Sequence, residues 1–285
     1  MEGRVIFMFK EESYKGNYVK IRNQESEFAT DYTLIRLIVI LGTKCSLRCR
    51  DCNNLIPLFN HQTDLNIQKI ILSLQNILKV ADYICRLELI GGEPFLSSNL
   101  ESVLNFVLKQ EKILKVEITT NGTVIPSESL ISLLRNEKVK ICISDYGDMI
   151  DYSMILKFCQ KNALNYKVLH IDHWIQSGDV KKRSRSIDDL KYQYLSCQSS
   201  YFCKTLFEDK LFQCARASSM YALNICDDSN SYLKIDSDFS NEKLFNFVFA
   251  DNNPACDHCN TATSYGVLIK PAIQEEVENE NKRDA

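Results

Sequence analysis

Apolar and polar positions follow two alternating periods through most of the chain. LIRLIVIL (34–41), ICRLELI (84–90), LKVEITT (114–120), VKICIS (139–144) and YKVLHI (166–171) are short runs rich in β-branched and aliphatic residues, and each predicts a strand. Between them, DLNIQKIILSLQNILK, SSNLESVLNFVLKQ (97–110), SESLISLLRNEK and DYSMILKFCQKNA carry apolar residues three and four positions apart and predict helices. Thr63 or Asp64 is the expected N-cap of the first. Strands separated by helices imply parallel pairing through right-handed crossovers. About five βα units are visible, fewer than a closed barrel needs.

The pattern changes at both ends. Residues 1–33 read as a cap segment, with a strand near Val5–Phe9 and a turn at Lys15-Gly16-Asn17. The alternation stops near residue 172, and the basic run KKRSRS (181–186) reads as a solvated connecting loop. KLFQC (210–214) and LFNFVFA (244–250) then give short strand signals among many cysteines. The expected division is a partial barrel over 34–180, a small metal-organised domain over 190–270 and a disordered charged tail over 271–285.

Composition narrows the function. Lys plus Arg number 34 against 37 Asp plus Glu, a net charge of −3, which excludes a basic nucleic-acid footprint over the whole surface. No apolar run approaches the ~18 residues of a membrane span, and the chain opens without a signal peptide, so a cytoplasmic protein with no membrane partner is expected. Twelve cysteines at short fixed spacings in a reducing compartment point to metal ligands rather than disulfides.

Cys45, Cys49 and Cys52 stand in a CxxxCxxC loop directly after the first strand. Three thiolates there can hold three irons of a 4Fe–4S cube and leave the fourth open. Structural zinc would want a fourth ligand close by, and His61 does not fit that spacing. Gly91-Gly92-Glu93-Pro94 follows the second strand, Thr119-Thr120-Asn121-Gly122 ends the third and Ser144-Asp145-Tyr146-Gly147 ends the fourth. Glycines let backbone approach a ligand, and a carboxylate answers an ammonium.

This series, in order and each at a strand end, resembles the radical S-adenosylmethionine (AdoMet) superfamily, over roughly residues 30–180. The resemblance implies an α/β fold with a partial (β/α)6 barrel. It also implies a 4Fe–4S cluster on Cys45, Cys49 and Cys52, with AdoMet bound by Gly91, Gly92, Glu93, Thr120, Asn121, Ser144 and Asp145. Reduction by an external one-electron donor such as flavodoxin or ferredoxin would cleave AdoMet to a 5'-deoxyadenosyl radical, which takes a hydrogen atom from substrate.

Cys197, Cys203, Cys214 and the pair Cys256-x-x-Cys259 resemble the compact twitch form of the SPASM extensions, which holds one auxiliary 4Fe–4S cluster. Five cysteines compete for four irons, with Cys214, Cys256 and Cys259 preferred, followed by Cys203 and then Cys197, and zinc is the alternative metal. Cys203 to Cys214 reads as a hairpin turning at Glu208-Asp209. His258 is a weak alternative ligand, His170 and His173 line the substrate site or cap the fifth strand, and Cys85, Cys142 and Cys159 read as buried small hydrophobes.

The barrel-plus-twitch plan resembles carbohydrate-modifying enzymes of the 2-deoxy-scyllo-inosamine dehydrogenase type. It implies oxidation of an alcohol on a sugar or aminocyclitol, with the auxiliary cluster taking the second electron. The alternatives are a sugar epimerase with a thiol hydrogen donor, for which Cys226 or the spare one of Cys197 and Cys203 is the candidate, a peptide-modifying enzyme, and a non-catalytic binding protein.

Overall fold

The computed structural model describes residues 32–262 and 267–275, with 24 and 30, so most of the expected N-terminal cap and the last ten residues lie outside the described residues. Five strands, β1 (Leu34–Ile40), β2 (Ile84–Ile90), β3 (Val116–Thr120), β4 (Val139–Asp145) and β5 (Tyr166–His170), alternate with helices α1 (Ile67–Val80), α2 (Leu100–Val107), α3 (Ile131–Leu134) and α4 (Ser153–Lys161). The five strands pair in parallel in sequence order, from β1 to β5. This is the α/β partial barrel expected.

The next strands depart from that expectation. After β5 the chain makes β6 (Trp174–Ile175), which pairs antiparallel with the short β10 (Leu268–Ile269) in a separate sheet. Helices α5 (Ile187–Leu195) and α6 (Gln198–Phe202) follow, and then β7 (Cys203–Phe207) joins the main sheet beside β1, in parallel. Strands β8 (Lys210–Phe212) and β9 (Tyr232–Lys234) add to it antiparallel, giving the order β5-β4-β3-β2-β1-β7-β8-β9. The sixth parallel strand therefore comes from the cysteine-rich segment and lies at the β1 edge. Its hairpin turns at Glu208, which takes φ 53°.

The two faces of the sheet differ. Leu37, Val39, Leu87, Leu89, Val116, Ile118, Ile141 and Ile143 point to the helices and pack on Ile70, Leu74, Val103 and Leu104 in one core. By the strand alternation, Arg36, Arg86, Glu88, Glu117, Thr119 and Lys140 point the other way and are only partly buried. Arg36 pairs with Glu88 at 3.5 Å, Arg86 with Glu117 at 3.5 Å, and the Thr119 hydroxyl donates to Glu88 at 2.6 Å. This face is polar at these positions, whereas Ile38 and Ile40 farther along β1 on the same face pack with Cys203 and with Ala215 of α7 (Ala215–Ala222).

Four local expectations are corrected. The cap of α1 is Asn66, whose Oδ1 accepts the Lys69 N–H at 3.0 Å, while Asp64 instead binds Lys44 and the Ser97 hydroxyl, each at 2.6 Å. LFNFVFA is not a strand but most of α8 (Asn241–Val248). Its apolar residues suit either period, and the Ser240 cap on the Lys243 N–H, with Leu244 and Val248 buried one turn apart, selects the helix.

The basic run is not wholly solvated. Arg185 donates to the Cys256 carbonyl at 3.0 Å and to Asn260 at 2.8 Å, and the Asp257 carboxylate accepts the N–H groups of Ser184 and Arg185 at 3.0 and 2.9 Å. The expected tail is ordered at its start, where residues 273–275 lie along the first cysteine loop. Among the described residues no helix is long and apolar enough to cross a membrane.

Candidate active site and cysteine centres

The three motif loops converge at the C-terminal ends of β1, β2 and β3. The buried Glu93 carboxylate accepts the Thr120 hydroxyl at 2.8 Å, the Asn121 N–H at 2.9 Å and the Phe95 N–H at 3.2 Å. Asn121 in turn directs its amide to the Ser46 hydroxyl at 3.1 Å and toward the Cys45 sulfur at 3.7 Å. Burial pushes Glu93 up to about 7, against the three hydrogen bonds that favour its carboxylate.

The glycine pair lies close against backbone. A Cβ on Gly92 would stand 2.1 Å from the Lys44 carbonyl oxygen, and one on Gly91 2.4 Å from that of Gly42. The close approach is between two strand-end backbones: Gly92 N–H donates to Gly42 and Glu93 N–H to Lys44, at 3.1 and 2.7 Å. The glycines seat the cysteine loop on Glu93.

Within that loop, burial raises Cys45 to about 11 and also raises Cys49 and Cys52; the neighbouring thiols add to the shifts of Cys45 and Cys49, whereas backbone N–H groups and Arg216 oppose that of Cys52. Each sulfur has N–H donors facing it. Leu47 N–H lies 3.4 Å from Cys45, Gln274 Nε2 lies 3.3 Å from Cys49, and backbone N–H groups after Cys52 favour its thiolate. This donor set fits three thiolates better than three thiols. Tyr146 joins the group: burial lifts its phenol to about 12, the Ser144 side chain opposes that, and the three thiols add to it.

Beside Tyr146 a cavity of about 340 Å³ is lined by Asp145, His170, Asp172 and Lys270. Asp145 Oδ2 lies 2.5 Å from His170 Nδ1. The Gly147 N–H is the main cause holding the Asp145 carboxyl below its usual range. Ser144 and Asp145 thus stand where the resemblance puts adenosyl contacts, and His170 is at the cavity.

Four of the five C-terminal cysteines act electrostatically on one another. Burial raises Cys197, Cys214 (to about 12) and Cys256, and the further upward influences come from one another and from Cys259. Cys203 stands apart: burial raises it too, but its charged neighbours are Arg36, Glu88 and Lys204. It lies opposite Arg36 in the β1–β7 ladder, beside the polar sheet face. Among the described residues no three His, Cys, Asp or Glu side chains converge tightly enough to hold a single metal ion.

The Lys204 ammonium is buried beside this group, bonded to the Ser200 and Cys203 carbonyls, and burial drives it down to about 8 against the opposing thiols. His258 commits Nδ1 to the Val180 carbonyl at 2.9 Å. Cys226 packs with Phe212, Met220 and Leu55, its sulfur 3.4 Å from the Ser231 hydroxyl.

Cys85 and Cys159 are buried as expected. Cys142 is buried as well, as expected; it shares a strand face with Lys140 and Ser144, and burial, Glu117 and Glu88 raise it to about 11. The alternation in VKICIS carried that signal. Nothing local to Gln274 marks its place beside Cys49, 225 positions away.

A family model described as a 4Fe–4S single cluster domain matches residues 35–143, which contain the three-cysteine loop and the glycine and Asn121 motifs. The structure of native anSMEcpe with bound AdoMet aligns over 80% of this chain and 83% of its own, at 12% identity and TM-score 0.52, and shows the same fold. anSMEcpe with bound AdoMet and the Cp18Cys peptide aligns over 50% of this chain and 44% of its own, at 19% identity and TM-score 0.39. BtrN in complex with AdoMet and 2-DOIA aligns over 85% and 97%, at 14% identity and TM-score 0.44. No curated protein matches the chain.

Proposed function

We propose that this chain is a radical AdoMet enzyme that binds AdoMet at a 4Fe–4S cluster on Cys45, Cys49 and Cys52 and oxidises an alcohol of a sugar or aminocyclitol. The observation that carries the reading is the joined network in which Glu93 and Asn121 connect the AdoMet motifs to the cysteine loop. The family-model match over that loop and the AdoMet-bound neighbour of the same fold support it.

When bound and reduced by an external donor such as flavodoxin or ferredoxin, the cluster supplies the electron that splits AdoMet. The protein's own part is placement. Glu93, with three donors on its two oxygens, keeps acceptor capacity for the AdoMet ammonium. Ser144, Asp145 and the adjoining cavity suit the adenosyl group. The polar face of Arg36, Arg86, Glu88, Glu117 and Thr119 offers the fixed donors and acceptors that a polyhydroxylated substrate needs.

The second cluster is assigned to Cys197, Cys214, Cys256 and Cys259, with Cys203 left out. In this reading residues 34–180 hold the radical machinery and 190–270 the electron acceptor. Epimerisation is the second reading, favoured by one observation: Cys142 and Cys203 place two thiols on or beside the polar face.

Anaerobically reconstituted protein is expected to form 5'-deoxyadenosine from AdoMet under reduction, and the Cys45/Cys49/Cys52→Ala protein to form none. Persisting cleavage in the triple variant would refute the assignment.

A further inference from the structure

The three thiols of the first loop differ in where their hydrogen-bond donors come from. Cys45 is faced by the Leu47 backbone N–H at 3.4 Å and by the Asn121 amide at 3.7 Å, and Cys52 by backbone N–H groups at residues 54–56. The side-chain donor to Cys49 comes from the far end of the chain, as Gln274 Nε2 at 3.3 Å.

The segment that brings it is anchored on both sides of Cys49. Arg50 N–H donates to the Ile273 carbonyl at 2.9 Å, Glu275 N–H donates to the Arg48 carbonyl at 2.8 Å, and Arg48 pairs with Glu275 at 3.5 Å. The amide orientation is fixed as well. Gln274 Oε1 accepts the Arg48 N–H at 2.8 Å, and Nε2 also donates to the Ala272 carbonyl at 2.6 Å. A flipped amide would set an oxygen against the Ala272 carbonyl and a nitrogen against the Arg48 N–H, so the NH2 group must be the one facing sulfur.

We propose that Gln274 is a positioning residue for the first cluster, whose amide N–H bond to the Cys49 sulfur raises that cluster's reduction potential and so eases its reduction before AdoMet cleavage. This rests on the cluster assignment above. A hydrogen bond to a ligating sulfur draws charge from the cluster, and reduction adds an electron, so the donor stabilises the reduced form.

The test is an anaerobic redox titration of the reconstituted full-length protein, following the electron paramagnetic resonance signal that added AdoMet perturbs. Gln274→Leu removes the donor. Gln274→Glu keeps an acceptor for the Arg48 N–H but cannot donate when ionised, and it adds a negative charge. At a fixed potential the oxidised-to-reduced ratio is expected to rise about tenfold in Gln274→Leu, equivalent to a midpoint lower by ~59 mV for one electron, and further in Gln274→Glu.

Unchanged midpoints in both variants with iron retained would overturn the inference. Loss of iron from both, with wild type loaded, would overturn it too, by showing a purely structural role. Wild type that binds no cluster would refute the cluster assignment itself, a separate result.

Discussion

The Glu93 carboxylate accepts the Thr120 hydroxyl at 2.8 Å, and this bond joins the loop after β2 to the end of β3. The side chain holds the Thr120-Asn121 segment in place, and in the proposed function it would also present charge to the AdoMet ammonium. Glu93→Gln separates them, since an amide can keep a hydrogen bond while losing the charge. Calorimetric titration of cluster-loaded protein should show AdoMet binding weakened by roughly 2–5 kcal/mol, the scale for truncating one partner of a buried charge pair. Unchanged affinity would show that Glu93 serves only the Thr120 network.

If Glu93 meets the AdoMet ammonium as proposed, binding should depend on pH. Burial raises Glu93 to about 7 in the ligand-free fold, so below that pH it is largely protonated and meets the ammonium as a neutral acid. Affinity should rise from pH 6 to pH 8, roughly the span about that pKa, and flatten above it. Because the folded value lies above the ordinary carboxyl range, Glu93 lowers ligand-free stability as pH rises from about 4.5 through 7, and AdoMet should offset that loss. Binding isotherms across this range in wild type and Glu93→Gln check both signs; equal slopes would refute the assignment.

Gly92→Ala should destabilise the protein without touching any ligand. The added Cβ would meet the Lys44 carbonyl oxygen at 2.1 Å, and backbone cannot move aside as a flexible side chain can. An overpacking cost of about 1–3 kcal/mol is expected in denaturant melts of apo-protein. A wild-type melt would return the glycine pair to a ligand-approach role.

Iron analysis tests the division of the C-terminal cysteines. The Cys45/Cys49/Cys52→Ala protein should retain about four irons per chain, as expected for one four-cysteine cluster. Adding Cys203→Ser should leave them in place, whereas adding Cys256→Ala and Cys259→Ala should remove them. One zinc per chain, or loss of iron with Cys203→Ser, would overturn this assignment.

Heavy-water turnover separates oxidation from epimerisation. A dehydrogenase removes two hydrogens from substrate and places no solvent deuterium on carbon. An epimerase gives a product of unchanged elemental composition with one deuterium at the inverted carbon. The second outcome, abolished by Cys142→Ser or Cys203→Ser with 5'-deoxyadenosine formation retained, would make epimerisation the correct reading.

The chain's local patterns determined β1 to β5 and their intervening helices, because alternation and helical spacing report which face of each element is apolar, and that property belongs to the segment alone. The first cysteine loop, Glu93 and Asn121 were legible for the same reason: each sits within a few residues of a strand end. Where β7 pairs was not legible. Its sequence suits any sheet edge, and only the tertiary fold sets Cys203 opposite Arg36. LFNFVFA fits strand and helix alike until the Ser240 cap and the burial of Leu244 and Val248 decide. Arg185 looked solvated because its partners at Cys256, Asp257 and Asn260 lie more than seventy positions on. The bond from Gln274 to Cys49 is the extreme case, since no local pattern can encode a contact across 225 positions, and it exists only because the finished fold returns the chain's end to its first loop.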